Sequence, residues 1–456
     1  MNPFLARDNI SGRTQASNRY SPIGREELFA YTNGHFLVDE QHQLDRRYLK
    51  FDLDALCDIA ALVDGDSSRI VTTEKLEGGF SKALLMKKEN GKEVIAKLPC
   101  RIAGPTSLTT ACEVGVLEYV RKYTSIPAPR VFSWSSDDSN PVGAEYIIME
   151  KAAGVPLVEQ WGKMAEIDKL KLIKNLTKLE AQLAAIRFPA YGGLYRQADV
   201  NHLQCQELSG SIDPFNLFRI GPSCDRSFST DSTADLSTQS GDLDQGPLSL
   251  IDFQSLSILP LFLQAQWPVF LKPPQNYIKG FVQPKLPDDF RELDEEYKTT
   301  ALQEWSQSKL AKAYEVATCL ENRVAHNAMN IPRVFRDFFI HCGEVSEVGA
   351  IPLRECLIEI FWNWSSLGFT GQCPYSFSAE EIATHEHQFA KYQAWHEVQH
   401  LAQECLDTDA EGWIAPQLNI EEKRRQNREL LSLYIEQMAG EKSPDEARAM
   451  WPFPGS

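Results

Sequence analysis

The 456-residue chain is long enough to bury a large core, and a chain of this length is expected to divide into two lobes. Its hydrophobic content of 43% and charged content of 24% are ordinary for a soluble globular protein. The net charge of -17 argues against a nucleic-acid partner or an anionic membrane surface, because the field of the protein repels phosphate. No apolar run is long enough to cross a bilayer. Ten scattered cysteines without a Cys-x-x-Cys pair are typical of reduced thiols in an intracellular protein.

Residues 1–28 are predicted to form a leader. This stretch contains four arginines and several serines, with Asp8 as the only acid before Glu26, which is the composition of a mitochondrial transit peptide. Pro3 and Gly12 interrupt any amphipathic helix, so a disordered leader is the alternative that these residues leave open.

The next elements predict a helix followed by an antiparallel sheet. Apolar residues recur at helical spacing over 52–63, and strands are predicted over 69–76 and 82–86. The turn between these strands contains Gly78, Gly79 and Phe80. Two glycines let a backbone approach a phosphate closely, although most such pairs form only a hairpin turn.

A lysine stands in the middle of the following strand. Asn90-Gly91 is a strong hairpin signal, and residues 93–99 after it alternate as a strand that contains Lys97. A lysine in an apolar strand is costly to bury without an anionic partner. Glu113 on the next amphipathic segment, or a nucleotide phosphate, would supply that partner. The alternative is a lysine that extends from an edge strand into solvent.

A glycine turn, a lysine on a strand and a glutamate on a helix follow one another in this order. This order resembles the small lobe of the aminoglycoside-phosphotransferase and choline-kinase-like branch of the protein-kinase fold. More narrowly, it resembles the fungal altered-inheritance-of-mitochondria proteins of that branch. The matching stretches are 29–36, 78–80, 94–97, 108–114, 126–131 and 140–151, and the likeness resumes at 251–255 and runs to 450–453.

This resemblance implies an α+β, protein-kinase-like fold with two lobes. The small antiparallel-sheet lobe, which would bind the nucleotide, is expected over 29–150, and a large, mainly helical lobe over 151–456. The cofactors implied are ATP and Mg²⁺, the other partner is an unidentified small-molecule acceptor, and the location implied is the mitochondrion.

The resemblance also assigns residues to nucleotide binding. They are Gly78, Gly79, Phe80, Lys97, Glu113, Glu150 and Lys151. The last two begin the stretch 150–156, which resembles the hinge where the backbone would face an adenine edge. The alternative for this stretch is a plain exit from a strand into a loop.

The large lobe is predicted to begin with one long helix over 163–187, whose leucines and isoleucines form an apolar face. A stretch rich in Ser, Thr, Asp and Gly, residues 221–247, predicts a surface loop or a flexible insert. Residues 248–253 predict a short buried strand that ends in an aspartate. From about residue 301 the chain is predicted to be mostly helical.

The metal and catalytic ligands of the family are only partly present. Asp252 matches the aspartate that bridges magnesium to the phosphates, and the alternative is an aspartate that only forms a turn. None of the nine histidines is followed by an aspartate two residues on, and no aspartate is followed by an asparagine five residues on. The His-x-Asp-x-x-x-x-Asn loop is therefore absent, through a deletion or a gene-model error, and no catalytic residue is assigned.

A second motif, His396-Glu-Val-Gln-His400, fits the zincin pattern of two histidines one turn apart, with Glu421 as a possible third ligand. A solvated polar face is the preferred interpretation, because the histidines point away from a predicted buried stripe. The stripe consists of Val398, Ala402 and Cys405. Residues 384–387 are likewise predicted to be a surface charge cluster.

The sequence therefore predicts a phosphotransferase-family protein, related to aminoglycoside and choline kinases, that is catalytically impaired because its catalytic loop is absent. One alternative is a pseudokinase that senses nucleotides or serves as a scaffold. A further alternative is a zinc hydrolase that uses His396, Glu397 and His400.

Overall fold

The computed structural model of the chain describes residues 24–65, 67–201, 203–224 and 252–455. These residues form an antiparallel sheet packed against helices, followed by a longer and mainly helical part. The elements up to residue 150 are α1 (Arg25–Phe29), β1 (His35–Phe36), α2 (Glu40–Arg47), α3 (Leu53–Leu62), β2 (Ile70–Glu77), β3 (Ser81–Lys88), β4 (Glu93–Pro99), α4 (Leu108–Tyr123), β5 (Val131–Ser135) and β6 (Tyr146–Glu150).

The first described residues already pack into the core. Residues 1–23 of the expected leader lie outside the described ranges, but Leu28 of α1 is buried together with Phe29 and Phe51. The rings of Phe29 and Phe51 meet edge to face, with centroids 5.0 Å apart. The helix predicted next is confirmed as α3, which Asp52 caps with its carboxylate.

Five strands form one antiparallel sheet in the order β2-β3-β4-β6-β5. The predicted Asn90-Gly91 turn joins β3 to β4, and Gly91 has a φ of 85°, a conformation that such hairpin turns require. Lys97 pairs with Ala83 of β3 and with Ile147 of β6. It lies on a central strand, so the edge-strand alternative for this lysine is wrong.

The two faces of the sheet bury different cores, because side chains alternate along each strand. One core contains Val94, Ala96 and Leu98 of β4, packed against residues of α1 and α3. Ile95 lies on the other face and packs against the core that α4 contributes. The same alternation directs Lys97 towards α4.

The remaining described elements are α5 (Leu157–Trp161), α6 (Glu166–Ala184), β7 (Gly193–Arg196), β8 (Gln206–Glu207), β9 (Phe218–Gly221), α7 (Leu261–Gln264), α8 (Glu295–Glu321), α9 (Arg323–Met329), α10 (Arg333–Val348), α11 (Ile351–Trp362), α12 (Ala379–Leu406), β10 (Trp413–Ile414), α13 (Ile420–Gln437) and α14 (Pro444–Met450). The long helix predicted over 163–187 is confirmed as α6. The mostly helical character predicted for the last third of the chain is confirmed as well.

A small three-stranded sheet, β7-β9-β8, packs against α4. The approach is close: a Cβ at Gly115 of α4 would lie 2.4 Å from the carbonyl oxygen of Leu194. Only glycine is compatible with this contact. The other face of α4, which carries Glu113, is therefore held at a fixed distance from the main sheet.

The stretch between β9 and Asp252 lies mostly outside the described residues. Gly221 ends β9 and Cys224 is fully buried, so the start of the predicted flexible stretch belongs to the fold, while residues 225–251 are not described. The strand predicted over 248–253 is wrong for its two described residues. Asp252 has a φ of 64°, and this left-handed conformation is incompatible with a β-ladder.

The N-terminal and C-terminal parts of the chain meet at a two-stranded sheet, β1-β10. His35 pairs with Ile414 and Phe36 pairs with Trp413. Leu37, the next residue, packs in a hydrophobic cluster with residues of α12 and with Trp451 and Phe453. This contact closes the helical part onto the edge of the small lobe.

The α+β fold class expected from the sequence is confirmed: a small antiparallel-sheet lobe is followed by a large, mainly helical lobe. Within the described ranges, no helix is both long enough and apolar enough to cross a membrane.

Candidate functional site

Three charged side chains from β4, α4 and the segment before α7 meet beside the main sheet. Lys97 of β4 is 6% exposed, and its Nζ donates to both carboxylate oxygens of Glu113 at 2.7 and 2.9 Å. The same ammonium group donates to Oδ1 of Asp252 at 2.6 Å. The ion pair predicted between Lys97 and Glu113 is therefore present, and Asp252 joins it from 155 residues further along the chain.

Charge balance controls the protonation of this cluster. Burial alone would lower the pKa of the Lys97 ammonium, but the negative charges of Asp252 and Glu113 raise it above its ordinary value. Burial raises the pKa of Glu113, and the nearby charge of Asp252 raises it further against the opposing effect of Lys97. One ammonium is thus shared by two carboxylates.

Asp252 differs from its two partners in exposure. Its side chain is 39% exposed, whereas those of Lys97 and Glu113 are 8% and 4% exposed. The next residue, Phe253, is buried in the core beneath α4, and its backbone hydrogen-bonds to the Glu113 carboxylate. Phe253 therefore anchors the segment, while the Asp252 carboxylate keeps one side towards solvent.

The glycine turn connects β2 to β3 and leaves open space beside its backbone. The amide of Gly78 donates to the carbonyl of Ser81 at 3.2 Å, which closes the turn. A Cβ placed on Gly78 would meet no atom within 4 Å, so packing within the described chain does not demand glycine there. Phe80 is half-buried, and its carbonyl accepts from the amide of Cys100 at 2.8 Å.

Arg47, which sequence reasoning missed, fixes the other glycine of the turn. This arginine of α2 is 2% exposed, and its Nε donates to the carbonyl of Gly79 at 3.2 Å. The same guanidinium forms an ion pair with Glu411, whose Oε2 lies 2.5 Å from its Nη2. No local signal identifies the pair, because the two side chains are 364 residues apart in sequence.

The side chains of Glu150 and Lys151, the residues expected to begin the hinge, form contacts with the protein itself. The Glu150 carboxylate accepts from the amide of Arg130 at 3.1 Å and lies 3.7 Å from Arg121. The Lys151 ammonium binds Glu93 of β4 at 2.5 Å. Any contact with a base at this position would therefore come from the backbone.

The zincin-like pentad lies on α12, with His400 exposed and His396 half-buried. Glu421 instead binds Arg424 at 2.7 Å. Among the described residues, no group of three His, Cys, Asp or Glu side chains is arranged to hold a metal ion.

Two predictions on this helix are wrong. Cys405 is exposed, and Leu406 completes the buried stripe instead, because a four-residue step from Ala402 returns closer to the same helix face than a three-residue step. His385, expected in a surface cluster, is 1% exposed, because its side chain faces α11 and its Nε2 hydrogen-bonds to Glu355 at 2.8 Å.

Comparison with curated proteins finds fungal relatives. The chain is 27% identical over 469 aligned residues to a subtelomeric hrmA-associated cluster protein of Aspergillus fumigatus, a match that covers 78% of this chain and 91% of that protein. It is 24% identical over 246 residues to altered inheritance of mitochondria protein 9 of Candida tropicalis, covering 45% of this chain and 40% of that protein. The corresponding protein of Yarrowia lipolytica is 23% identical over 235 residues, or 46% of this chain and 41% of that protein.

The resemblance to altered-inheritance-of-mitochondria proteins is therefore confirmed. These relatives are named as mitochondrial proteins. No protein-family model matches the chain.

Solved structures match only in part. A putative aminoglycoside phosphotransferase of Ralstonia eutropha, 15% identical, covers 34% of this chain and 46% of that chain with a TM-score of 0.26. A streptomycin-ATP complex of APH(2")-IIa, 20% identical, covers 26% of this chain and 37% of that chain with a TM-score of 0.21. Each overlap includes less than half of either chain.

Proposed function

We propose that this chain, a relative of the altered-inheritance-of-mitochondria 9 proteins, binds a magnesium-nucleoside triphosphate beside Lys97 and transfers its phosphate poorly or not at all. The observation that carries the proposal is the buried Lys97 ammonium, held by carboxylates from two separate parts of the chain. A buried ammonium at a fixed position is a point charge suited to phosphate oxygens.

The residues present fit a nucleotide and its metal ion. Glu113 holds Lys97 in position, and the partly exposed Asp252 carboxylate is a hard oxygen ligand of the kind that Mg²⁺ prefers. When bound, Mg²⁺ would neutralise charge on the phosphates. The open backbone at Gly78 leaves room for the phosphates, and the backbone at residues 150–151 would face the base.

The proposed impairment depends on what the sequence lacks. Phosphoryl transfer in this fold needs an aspartate and an asparagine five positions apart to orient the acceptor hydroxyl and a metal ion, and no such pair occurs in the chain. Catalysis of this kind is mostly positioning, so loss of both groups costs several orders of magnitude in rate. Nucleotide binding depends on other residues and is retained, which favours a nucleotide-sensing or scaffolding role.

Calorimetric titration with ATP, with and without Mg²⁺, tests the binding. We expect wild-type protein to bind ATP more tightly with Mg²⁺, and Asp252→Asn to lose that difference because the substitution removes the charged metal ligand. Asp64→Asn is the matched control, since Asp64 also binds a lysine of the small lobe, Lys92 at 3.0 Å, but on the surface. Absence of any ATP binding by the wild-type protein would refute the proposal.

A phosphate-transfer screen tests the impairment. The 456-residue chain is assayed with aminoglycosides, choline and small hydroxylated metabolites, beside a version in which the family's missing block is restored. We expect turnover only from the restored version. Robust turnover by the unrestored chain that Asp252→Ala abolishes would show that the chain has a catalytic group outside the family's loop motif.

A further inference from the structure

The glycine turn is held from outside the sheet by a buried arginine. The guanidinium of Arg47 donates to Gly79, to the carbonyl and side chain of Gln43 at 3.1 and 2.6 Å, and to Glu411 at 2.5 Å. It also lies over the rings of Tyr31 and Phe36, 5.5 and 4.6 Å from their centroids. Each of these contacts restricts the guanidinium, so the Gly79 carbonyl has a rigid donor.

The position of Glu411 is itself fixed by neighbouring residues in the C-terminal part of the chain. The carboxylate of Asp409 accepts from the amides of Glu411 and Trp413, both at 2.9 Å. The carbonyl of Gly412 accepts from the amide of Leu37 at 2.9 Å, next to the β1-β10 pair. The segment 409–412 is therefore built into the fold, and the Glu411 side chain reaches Arg47 from a fixed turn.

We propose that Arg47 is a positioning residue for the phosphate-binding turn, and that Glu411 makes the phosphate affinity of the site depend on the C-terminal segment. This inference rests on the proposed nucleotide binding. A turn with two adjacent glycines has many accessible conformations, and one charge-assisted hydrogen bond at Gly79 selects among them. Removing the Glu411 charge leaves the buried guanidinium without its anion, so the guanidinium and the turn both shift.

The segment 409–412 is therefore a place from which the phosphate affinity of the site can be changed. Any partner or modification that displaces it from β1 would weaken phosphate binding, and bound nucleotide would in return stabilise the contact between the two ends of the chain. This reciprocity follows from thermodynamic linkage.

The test compares two carboxylates, Glu411 and Glu40, that each take part in an ion pair between α2 and the C-terminal part of the chain. Glu411→Gln removes the charge beside Arg47, whereas Glu40→Gln removes one that binds Arg424 of α13 at 2.6 Å without contact to the turn. We expect Glu411→Gln to bind MgATP about fivefold or more weakly while its adenosine affinity is unchanged. Glu40→Gln should match the wild type for both ligands.

Arg47→Lys is the second variant, because lysine lacks the fork that reaches Gly79 and Glu411 together. It should show the same loss, confined to the phosphate-bearing ligand. A second measurement needs no ligand: hydrogen exchange of the amides of residues 78–81 should be faster in Glu411→Gln than in Glu40→Gln. This measurement decides the question even if one variant binds neither ligand.

The outcomes separate the inference from the proposed function. If wild-type protein does not bind MgATP, the proposed function fails and this inference fails with it. If wild-type protein binds and Glu411→Gln binds equally well, only the inference fails. An equal loss of ATP and adenosine affinity, or unchanged exchange at 78–81, would show that Arg47 and Glu411 serve stability alone.

Discussion

At the scale of single residues, the decisive feature is one ammonium shared by two carboxylates. Lys97 and Glu113 are nearly fully buried, and a buried charge without a partner is far more costly than a solvated one. Asp252 adds a second negative charge beside the same ammonium. The arrangement is stable only while Lys97 stays charged, which its raised pKa ensures.

Lys97→Met should make the stability of the protein strongly dependent on pH. Without the ammonium, the pKa of the buried Glu113 carboxyl rises further above its unfolded value, and a group with a raised pKa loses its stabilising contribution as pH rises through the folded pKa. We expect the free energy of unfolding to fall by about 3–5 kcal/mol at pH 8, and by much less at pH 5. Urea denaturation across this range measures it.

The double variant Lys97→Met/Glu113→Gln is the control, because it removes the titrating carboxyl. Its stability should vary with pH no more than that of the wild type. Parallel pH curves for Lys97→Met and wild type would contradict the charge balance described here.

At the scale of elements, α12 shows how one helix gives its histidines different environments. His385 faces α11, where it binds Glu355, and its ring stacks on that of Phe389 of its own helix with centroids 5.7 Å apart, whereas His400 is exposed. Sequence periodicity identified the buried stripe around Val398 but not the second buried face nearer the N-terminus of the helix. A 28-residue helix contacts different neighbours along its length, so a single stripe cannot describe it.

His385→Ala should therefore destabilise the protein by about 1–3 kcal/mol, because Glu355 loses its buried partner and the helix contact loses packing. His400→Ala, on the same helix, should change stability by less than about 0.5 kcal/mol. Thermal and chemical denaturation of both variants compare the two sites. Equal effects, or zinc bound stoichiometrically and lost in His400→Ala, would refute this assignment of the helix faces.

A second element-scale prediction concerns α6 and α8. Burial raises the pKa of Glu180 to about 7, and this carboxyl accepts from the Tyr314 hydroxyl at 2.9 Å. Because the folded pKa is raised, the stability from this group is present below about pH 4.5 and is lost as pH rises through 7. Glu180→Gln should therefore gain on the order of 2 kcal/mol relative to wild type between pH 5 and pH 8.

Glu166→Gln is the matched control for this pair of helices, since Glu166 of α6 binds Lys309 of α8 at 2.7 Å but is 58% exposed. It should leave the pH dependence unchanged. A wild-type protein as stable at pH 8 as at pH 5, with Glu180→Gln showing the same profile, would contradict the prediction.

A lysine within an apolar strand, the pattern that identified Lys97, occurs a second time in the sheet with a different partner. Lys82 of β3 also stands in an apolar strand and is fully buried, but it lies on the opposite face and binds Glu77 at 2.6 Å. Period-two alternation predicted the strand that contains Lys97. It could not predict which face α4 would cover, because that depends on packing between distant elements.

At the scale of the whole molecule, local patterns predicted the sheet, α3 and α6, and long-range contacts decided the rest. The hairpin at Asn90-Gly91 and the alternation in β4 depend on neighbouring residues, so the sequence contains them directly. Arg47 and Glu411, and the β1-β10 pair, depend on chain closure that no local pattern encodes. Asp252 was identified by family resemblance, whereas its direct bond to Lys97 required the three-dimensional arrangement.

The β1-β10 pair has a consequence for how the protein is made. The partners of Phe36, Leu37 and Arg47 are synthesised long after these residues, and the Arg47–Glu411 separation alone is 364 residues. At a synthesis rate of about 5–20 residues per second, Phe36, Leu37 and Arg47 remain without these native contacts for roughly 20–70 s. The small lobe therefore completes its fold only after these distant partners have been synthesised, and its apolar edge is available to chaperones until then.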